Sequence, residues 1–328
     1  MILVTGGGGF IGSHLVQQLV DEGEAVRVFE ERKADVQHLP SDAVEVVRGD
    51  IRCAQSVKEA VRGCRQVYHL AANPHLWTRV RSDFDAVNHL GTLNVLQQAL
   101  RAGAERVLHT SSQSILALSK SNGQSVEQLR LKEEQAIGWY CLSKLKGEQE
   151  AFRLADSGYP VIVASPTVPI GPGDNNLTPP SRMTLAFCQG KLPSYLDCRL
   201  NLIDARDIAS GLRAAMRVGR PGIRYLIGGA NLKLSEWLKI LGRLLGKEMP
   251  RWQVPYHLAL LAAYASEWTS DHLTRQMPMA TVTGVKLTRH NMHFETTESG
   301  KILGLKLRPV EDSAQDAIEW FRRKGWLN

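Results

Sequence analysis

The chain begins Met1-Ile2-Leu3-Val4 and runs at once into Thr5-Gly6-Gly7-Gly8-Gly9-Phe10-Ile11-Gly12, and no other stretch constrains its fold as much. An apolar run with nothing polar in it suits a parallel strand covered on both faces. The glycines end that strand. From Phe10 onward Ile11, Leu15, Val16, Leu19 and Val20 recur at helical spacing until Asp21-Glu22-Gly23 stops the run. Strand, glycine turn and helix is the setting in which backbone amides approach a pyrophosphate resting on a helix N-terminus. Two registers fit, Gly7-x-Gly9-x-x-Gly12 and Gly6-x-x-Gly9-x-x-Gly12, and both need Gly9 and Gly12. Gly6, Gly9, Phe10, Ile11 and Gly12 are therefore candidate contacts to a dinucleotide.

The rest of the first half follows the same plan. A second strand, residues 25–29, ends in Glu30, about 20 residues past the glycines, where a dinucleotide fold places an acid on the adenosine ribose diol. That favours NAD. Arg32 and Lys33 follow directly and would suit a 2′-phosphate, which keeps NADP open. Val44-Glu45-Val46-Val47 leads to Gly49-Asp50-Ile51, and Gln66-Val67-Tyr68-His69-Leu70 leads to Ala71-Ala72-Asn73. Ligands collect at the carboxyl ends of such strands, so Asp50, Ile51, Leu70, Ala71 and Ala72 are candidates for the adenine and ribose walls.

A second stretch carries chemistry. Tyr140 and Lys144 stand four apart in a run, residues 131–155, rich in helix formers and free of proline, so a helix there puts both on one face. A phenol in water titrates at about pH 10 and is a poor base at neutral pH, but a neighbouring ammonium favours the phenolate. Between the two stretches, Glu105-Arg106-Val107-Leu108-His109 runs into the hydroxyl cluster Thr110-Ser111-Ser112-Gln113-Ser114 at the end of a buried strand, where a nicotinamide ring belongs.

With these residues in place the chain resembles the extended short-chain dehydrogenase/reductases, the NAD-dependent epimerase/dehydratase family, over nearly its whole length. The likeness rests on T-G-G-x-G-F-I-G at residues 5–12, G-D-I at 49–51, H-L-A-A at 69–72 and N-x-x-G-T-x-N at 88–94. It continues with T-S-S at 110–112, Y-x-x-x-K at 140–144, and Ser165-Pro166-Thr167-Val168 leading to Gly171-Pro172. The resemblance implies that Ser112 orients a substrate hydroxyl, that Tyr140 is the general acid/base, and that Lys144 holds the ribose and tunes Tyr140. Ser111 and Ser114 are alternatives to Ser112. Asn88 and the Pro166-Thr167 turn would border the nicotinamide.

Members that dehydrate nucleotide sugars carry Asp-Glu directly after the catalytic hydroxyl residue. Gln113 and Ser114 stand there and cannot ionise, which disfavours a 4,6-dehydratase. An oxidoreductase acting on a secondary alcohol or ketone is the leading expectation, and a nucleotide-sugar epimerase with retained cofactor is the alternative. Thr178-Pro179-Pro180 resembles the substrate loop of dihydroflavonol-reductase-like members, including the branch named hopanoid-associated sugar epimerases. The apolar segment 252–268 also resembles that branch; it reads as a packed helix of a small lobe or as a wall for an apolar substrate.

The 328 residues, 43% hydrophobic, are enough for a sizeable core, and alternating strands and helices imply an α/β fold: a doubly wound parallel sheet with a smaller, discontinuous C-terminal lobe. The expected division is 1–166 with 200–227 for the nucleotide-binding domain, and 167–199 with 228–328 for the substrate lobe. Loops 73–79, 115–125 and 174–182 would shape the pocket. The net charge of +7 comes from scattered basic residues, which suits an anionic cofactor and gives no sign of nucleic acid. No segment has the roughly 20 apolar residues of a membrane span, and five cysteines without C-x-x-C spacing indicate neither zinc nor disulfides, so a cytoplasmic setting fits. No metal is expected, the partner is a small-molecule substrate, and the resemblance implies a homodimer through the helices expected at 82–101 and 131–155.

Overall fold

The computed structural model describes residues 1–117 and 126–327. Of the loop 115–125, residues 118–125 lie outside the described residues. In chain order the N-terminal elements are β1 Ile2–Thr5, α1 Phe10–Asp21, β2 Val26–Glu30, β3 Val44–Arg48, α2 Ala54–Ala60 and β4 Gln66–His69. There follow α3 Ser82–Phe84, a π-helical turn Asp85–Gly91, α4 Thr92–Arg101, β5 Arg106–Thr110, α5 Gly138–Asp156, β6 Val161–Pro166, β7 Val168–Ile170 and α6 Pro179–Cys188. The remainder is β8 Ser194–Tyr195, β9 Arg199–Asp204, α7 Ala205–Val218, β10 Arg224–Ile227, β11 Ala230–Lys233, α8 Leu234–Leu245, β12 Trp252–Gln253, α9 Tyr256–Thr269, α10 Val282–Leu287, α11 Thr297–Leu303 and α12 Val310–Arg323.

Among the described residues seven strands form one parallel sheet in the order β10-β6-β5-β4-β1-β2-β3. The order reverses direction between β1 and β4, and in a sheet of this kind the crevice that takes a ligand lies outside the carboxyl ends of the strands at that point. The apolar runs read from sequence are buried in this sheet: all of β1, β6 and β10, and most of β4 and β5. Helices α1 and α7 cover one face through Leu15, Val16, Leu19, Ile208 and Leu212. Helices α2, α4 and α5 cover the other through Val57, Val95, Leu96, Ala151 and Phe152. Burial on both faces explains why these strands carry no alternation.

Beyond the main sheet, β9 pairs parallel with β7 and antiparallel with β11, so the 199–204 strand lies in a second, three-stranded sheet. Its last residue, Asp204, caps α7, which returns to the main sheet. A separate core of Trp237, Leu238, Leu241, Ile318 and Phe321 sits between α8 and α12. No helix among the described residues is long and apolar enough to cross a membrane.

Three sequence expectations are corrected. The helix expected over 131–155 is only a 3-10 turn at Glu133–Gln135 until α5 begins at Gly138, whose φ of +74° interrupts the backbone path. A side chain at Gly138 would also strike Thr283 Oγ1, 2.3 Å from the place of its Cβ. Tyr140 consequently lies in the first turn of its helix. The helix expected over 82–101 contains the π-helical turn, with Asn88 inside it. The apolar segment 252–268 is not core: of α9 only Ala263 is buried.

A buried ion pair anchors α5. Arg224 of β10 donates through Nε to Glu148 Oε2 at 3.2 Å and through a terminal nitrogen to Glu148 Oε1, and it also donates to the Val126 and Leu129 carbonyls at 2.6 and 2.9 Å. Both side chains are fully buried. Glu148→Ala leaves that guanidinium without its counter-charge, and urea unfolding is expected to show a loss of about 3–5 kcal/mol.

Candidate active site

The glycine turn closes the crevice floor by close approach. A Cβ on Gly6, whose φ is +72°, would stand 2.7 Å from Ala71 N, and one on Gly12 would stand 2.0 Å from Gly6 O. Gly9 is the N-cap of α1, without a side-chain cap, and the first turn carries no acid. The positive end of α1, in the stretch Gly9-Phe10-Ile11-Gly12, is thus left for an anion. Glu30, at the end of β2, folds under this turn and accepts the Gly8 N–H at 2.6 Å. Burial raises its carboxyl pKa, partly opposed by that hydrogen bond.

The proton-handling groups meet at the carboxyl end of β5. Ser112 and Ser114 hydroxyls lie 2.9 Å apart, and Ser112 Oγ accepts the Ser114 N–H at 3.2 Å. Burial pushes the Tyr140 phenol up to about 12, and hydrogen bonds from Ser112 and then Ser114 act against that shift. Ser112 is half-buried whereas Ser111 and Ser114 are buried, so Ser112 is the most accessible of the three. Lys144, one turn on from Tyr140, donates a hydrogen bond to the Thr110 carbonyl at 2.7 Å. Desolvation lowers its ammonium to about 8, opposed by the Glu148 charge. Burial is the largest influence on Tyr140, and the Lys144 ammonium is bonded to the Thr110 carbonyl. The first turn of α5 supplies a different aid: its positive end favours charge developing on the phenol.

Asn88 is fully buried. Its Oδ1 accepts Asn73 N–H at 2.8 Å, and its Nδ2 donates to Asn73 O at 3.2 Å and Ser143 Oγ at 3.1 Å. It therefore clamps the loop after β4 to α5. Behind it runs a chain that sequence reading missed. His69 Nδ1 lies 2.8 Å from Thr5 Oγ1, and His69 Nε2 lies 2.9 Å from Thr92 Oγ1. Thr92 Oγ1 donates to Asn88 O at 2.8 Å, so His69 Nε2–H must donate to Thr92 and Nδ1 must accept from Thr5. Burial lowers His69 to about 3, which keeps it neutral in this role. Polar residues inside otherwise apolar strands were the available signal.

The other expected contacts are spread around the crevice. Leu70 N and Ala71 N bond the Thr5 carbonyl and hydroxyl at 3.1 and 3.2 Å, which sets Leu70, Ala71 and the following Ala72 beside the glycine turn. Asp50 is taken up by Arg52, which lowers its pKa through hydrogen bonds at 2.6 to 3.1 Å. Ile51 is buried against Gly91. Pro166 ends β6 opposite Ile227, and Thr167 follows it. Among the described residues, Ser111 Oγ and Thr167 Oγ1 are buried without a protein partner. These orphan hydroxyls at the ends of β5 and β6, the glycine cradle and the spare donors of Lys144 together fit a dinucleotide with its nicotinamide end near Tyr140.

A profile of the NAD dependent epimerase/dehydratase family matches residues 2–228. The chain belongs to this family. A protein of Synechocystis sp. named as a dihydroflavonol 4-reductase is 32% identical, with 99% of this chain and 95% of that one covered. Sterol demethylase protein B of Methylococcus capsulatus is 29% identical, with 99% of each covered. The crystal structure of gox2253 has a TM-score of 0.86 at 30% identity and covers 100% of this chain and 99% of that one. As an epimerase/dehydratase family member the chain is an NAD-dependent enzyme.

Lys144 titrates within the upper part of the working range and Tyr140 well above it. With the dinucleotide as the varied substrate, kcat/KM reports the free enzyme, so it is expected to be level below about pH 8 and to fall above it as Lys144 loses its charge. Tyr140, protonated up to about 12, adds no inflection between about pH 6 and 9. A pH profile of initial rates checks this.

Proposed function

We propose that this enzyme is an oxidoreductase that interconverts a secondary alcohol and its ketone, with NAD as the dinucleotide and Tyr140 as general acid/base. The observation that carries it is the pair of Ser112 and Ser114 hydroxyls, 2.9 Å apart just past β5, beside a Lys144 that is bonded to the Thr110 carbonyl one helical turn on from Tyr140. When bound, the nicotinamide supplies or accepts a hydride. The protein's part is to hold and move a proton. In reduction, Ser112 donates a hydrogen bond to the carbonyl oxygen and Tyr140 gives that oxygen its proton. The resulting phenolate is stabilised by the ammonium of Lys144 and by the positive end of α5. In oxidation Tyr140 takes the hydroxyl proton back. Lys144 and the Glu30 carboxylate would hold the two riboses, and Asn88 would keep the loop beside the nicotinamide in place.

Gln113 and Ser114, buried in the 3-10 turn after Ser112, supply neither acid nor base for eliminating water, which supports oxidoreduction over dehydration. The name of the Synechocystis relative also supports a reductase over an epimerase. For the cofactor, Glu30 lies under the glycine turn where a 2′-phosphate would meet a like charge, while Arg32 and Lys33 are exposed.

Two measurements test the proposal. Denatured protein is expected to release little nucleotide, and added NADH is expected to be consumed in step with reduction of a ketone from a panel of secondary-alcohol and ketone pairs. NAD should be preferred over NADP by about tenfold or more, which is ~1.4 kcal/mol of repulsion. Tightly held NAD with no net turnover and inversion of a nucleotide sugar would replace the proposal by an epimerase. Tyr140→Phe should lower kcat by about 10²–10⁴ with little change in dinucleotide affinity.

A further inference from the structure

Helix α9 turns to solvent the face that a helix on a globular protein normally buries. Leu258, Leu261, Tyr264 and Trp268 are 59%, 67%, 51% and 56% exposed, and Ala262 and Ala265 are exposed between them. Spaced three and four apart, they make one stripe along a helix of roughly 21 Å. Among the described residues of that face His257 is the polar one. The carboxylate of α9, Glu267, faces the protein, accepting the Val282 N–H at 2.8 Å and pairing with Arg81 at 3.7 Å. The apolar surface continues past the helix through Leu273 and Met279, both exposed. A contiguous apolar surface on the outside marks a contact with something other than water.

Its position relates it to the crevice. Asp271, just beyond α9, accepts from Trp77 Nε1 at 3.1 Å and from Arg81 at 3.0 Å, and both belong to the segment after β4 that Asn88 clamps. Helix α10, packed on α9, places Thr283 against Gly138 at the start of the helix that carries Tyr140. The exposed charge around it that is not paired is basic. Arg275, Lys286 and Arg289 are exposed, whereas Glu267 and Asp271 are engaged by Arg81, and the exposed Glu248 and Arg251 pair with each other at 3.2 Å.

We propose that α9 and the turn after it seat the protein on the surface of an anionic lipid bilayer. Leu, Trp and Tyr on one stripe with basic residues at its margins match an interfacial helix, whose apolar face enters the headgroup boundary while cations meet lipid phosphates. Fourteen residues are too few to span, so the helix lies in the plane. A second copy would bring the same cations to the same patch, which disfavours a symmetric contact. The docking stands without the catalytic proposal. Where that proposal also holds, and resting on it, the crevice lies beside the bilayer and an apolar alcohol reaches Ser112 and Tyr140 from lipid.

Co-sedimentation of the full chain with vesicles tests the docking. The protein is expected to pellet with vesicles of phosphatidylcholine and phosphatidylglycerol, and less with phosphatidylcholine alone. Leu261→Asp combined with Trp268→Asp should lower the partition coefficient about a hundredfold or more with little change in the thermal transition, since both side chains are more than half exposed. Wild-type protein that stays in the supernatant with both vesicles overturns the docking, as does a variant that binds equally well. A dimer that the variant turns into a monomer, with no vesicle binding by either, also overturns it and assigns α9 to a second copy. Sedimentation reads no turnover, so its failure is distinct from a failure of the oxidoreductase proposal.

Discussion

The structure depends on how closely the chain after β1 passes the chain after β4. Gly6 lies so near Ala71, and Gly12 so near Gly6 O, that a single methyl group at either place would overlap backbone. Backbone cannot yield as a flexible side chain can, so this contact fixes the start of α1 relative to the central strands. The crevice, the uncapped first turn of α1 and the seat of Glu30 follow from it. It also brings Thr5 within reach of His69, where the polar chain to Asn88 begins.

That chain turns a sheet into a site. Thr5, His69 and Thr92 come from a strand, a second strand and a helix, and all three are buried. Each must find a partner or carry a desolvation penalty, so each holds the others in one arrangement. Its far end, Asn88, grips the loop after β4 and Ser143 of α5. The Glu148–Arg224 pair ties the same helix to the sheet edge. Tyr140 is thereby positioned from both sides, and its burial, which raises the phenol, follows from that positioning. A site that keeps its acid protonated in the free state is ready to donate; phenolate forms only when compensating charge is at hand.

α9 follows the opposite rule. In the sheet-covering helices apolar stripes face inward, and the ion pair that holds α5 is buried. Here the carboxylate is inside, fixing the crevice-side loop through Arg81, and the leucines and tryptophan are outside. From sequence the segment reads as a packed helix or as a wall for an apolar substrate, because periodicity reports that a helix has an apolar face, not which way that face points.

The sequence by itself determined the parallel sheet, the glycine turn and the placing of Tyr140 and Lys144 one helical turn apart, because strand burial and helical spacing are local patterns that survive any packing. It did not reveal the break at Gly138, which is set by Thr283 from a distant helix, nor the π-helical turn that delivers Asn88. It put Asp50 on the cofactor without showing that Arg52 takes up its carboxylate. Only the tertiary structure decided that Lys144 turns to Thr110, that His69 joins Thr5 to Thr92, and that α9 faces outward. These are contacts between residues far apart in the chain, and their geometry depends on how whole elements pack, which spacing along one element does not encode.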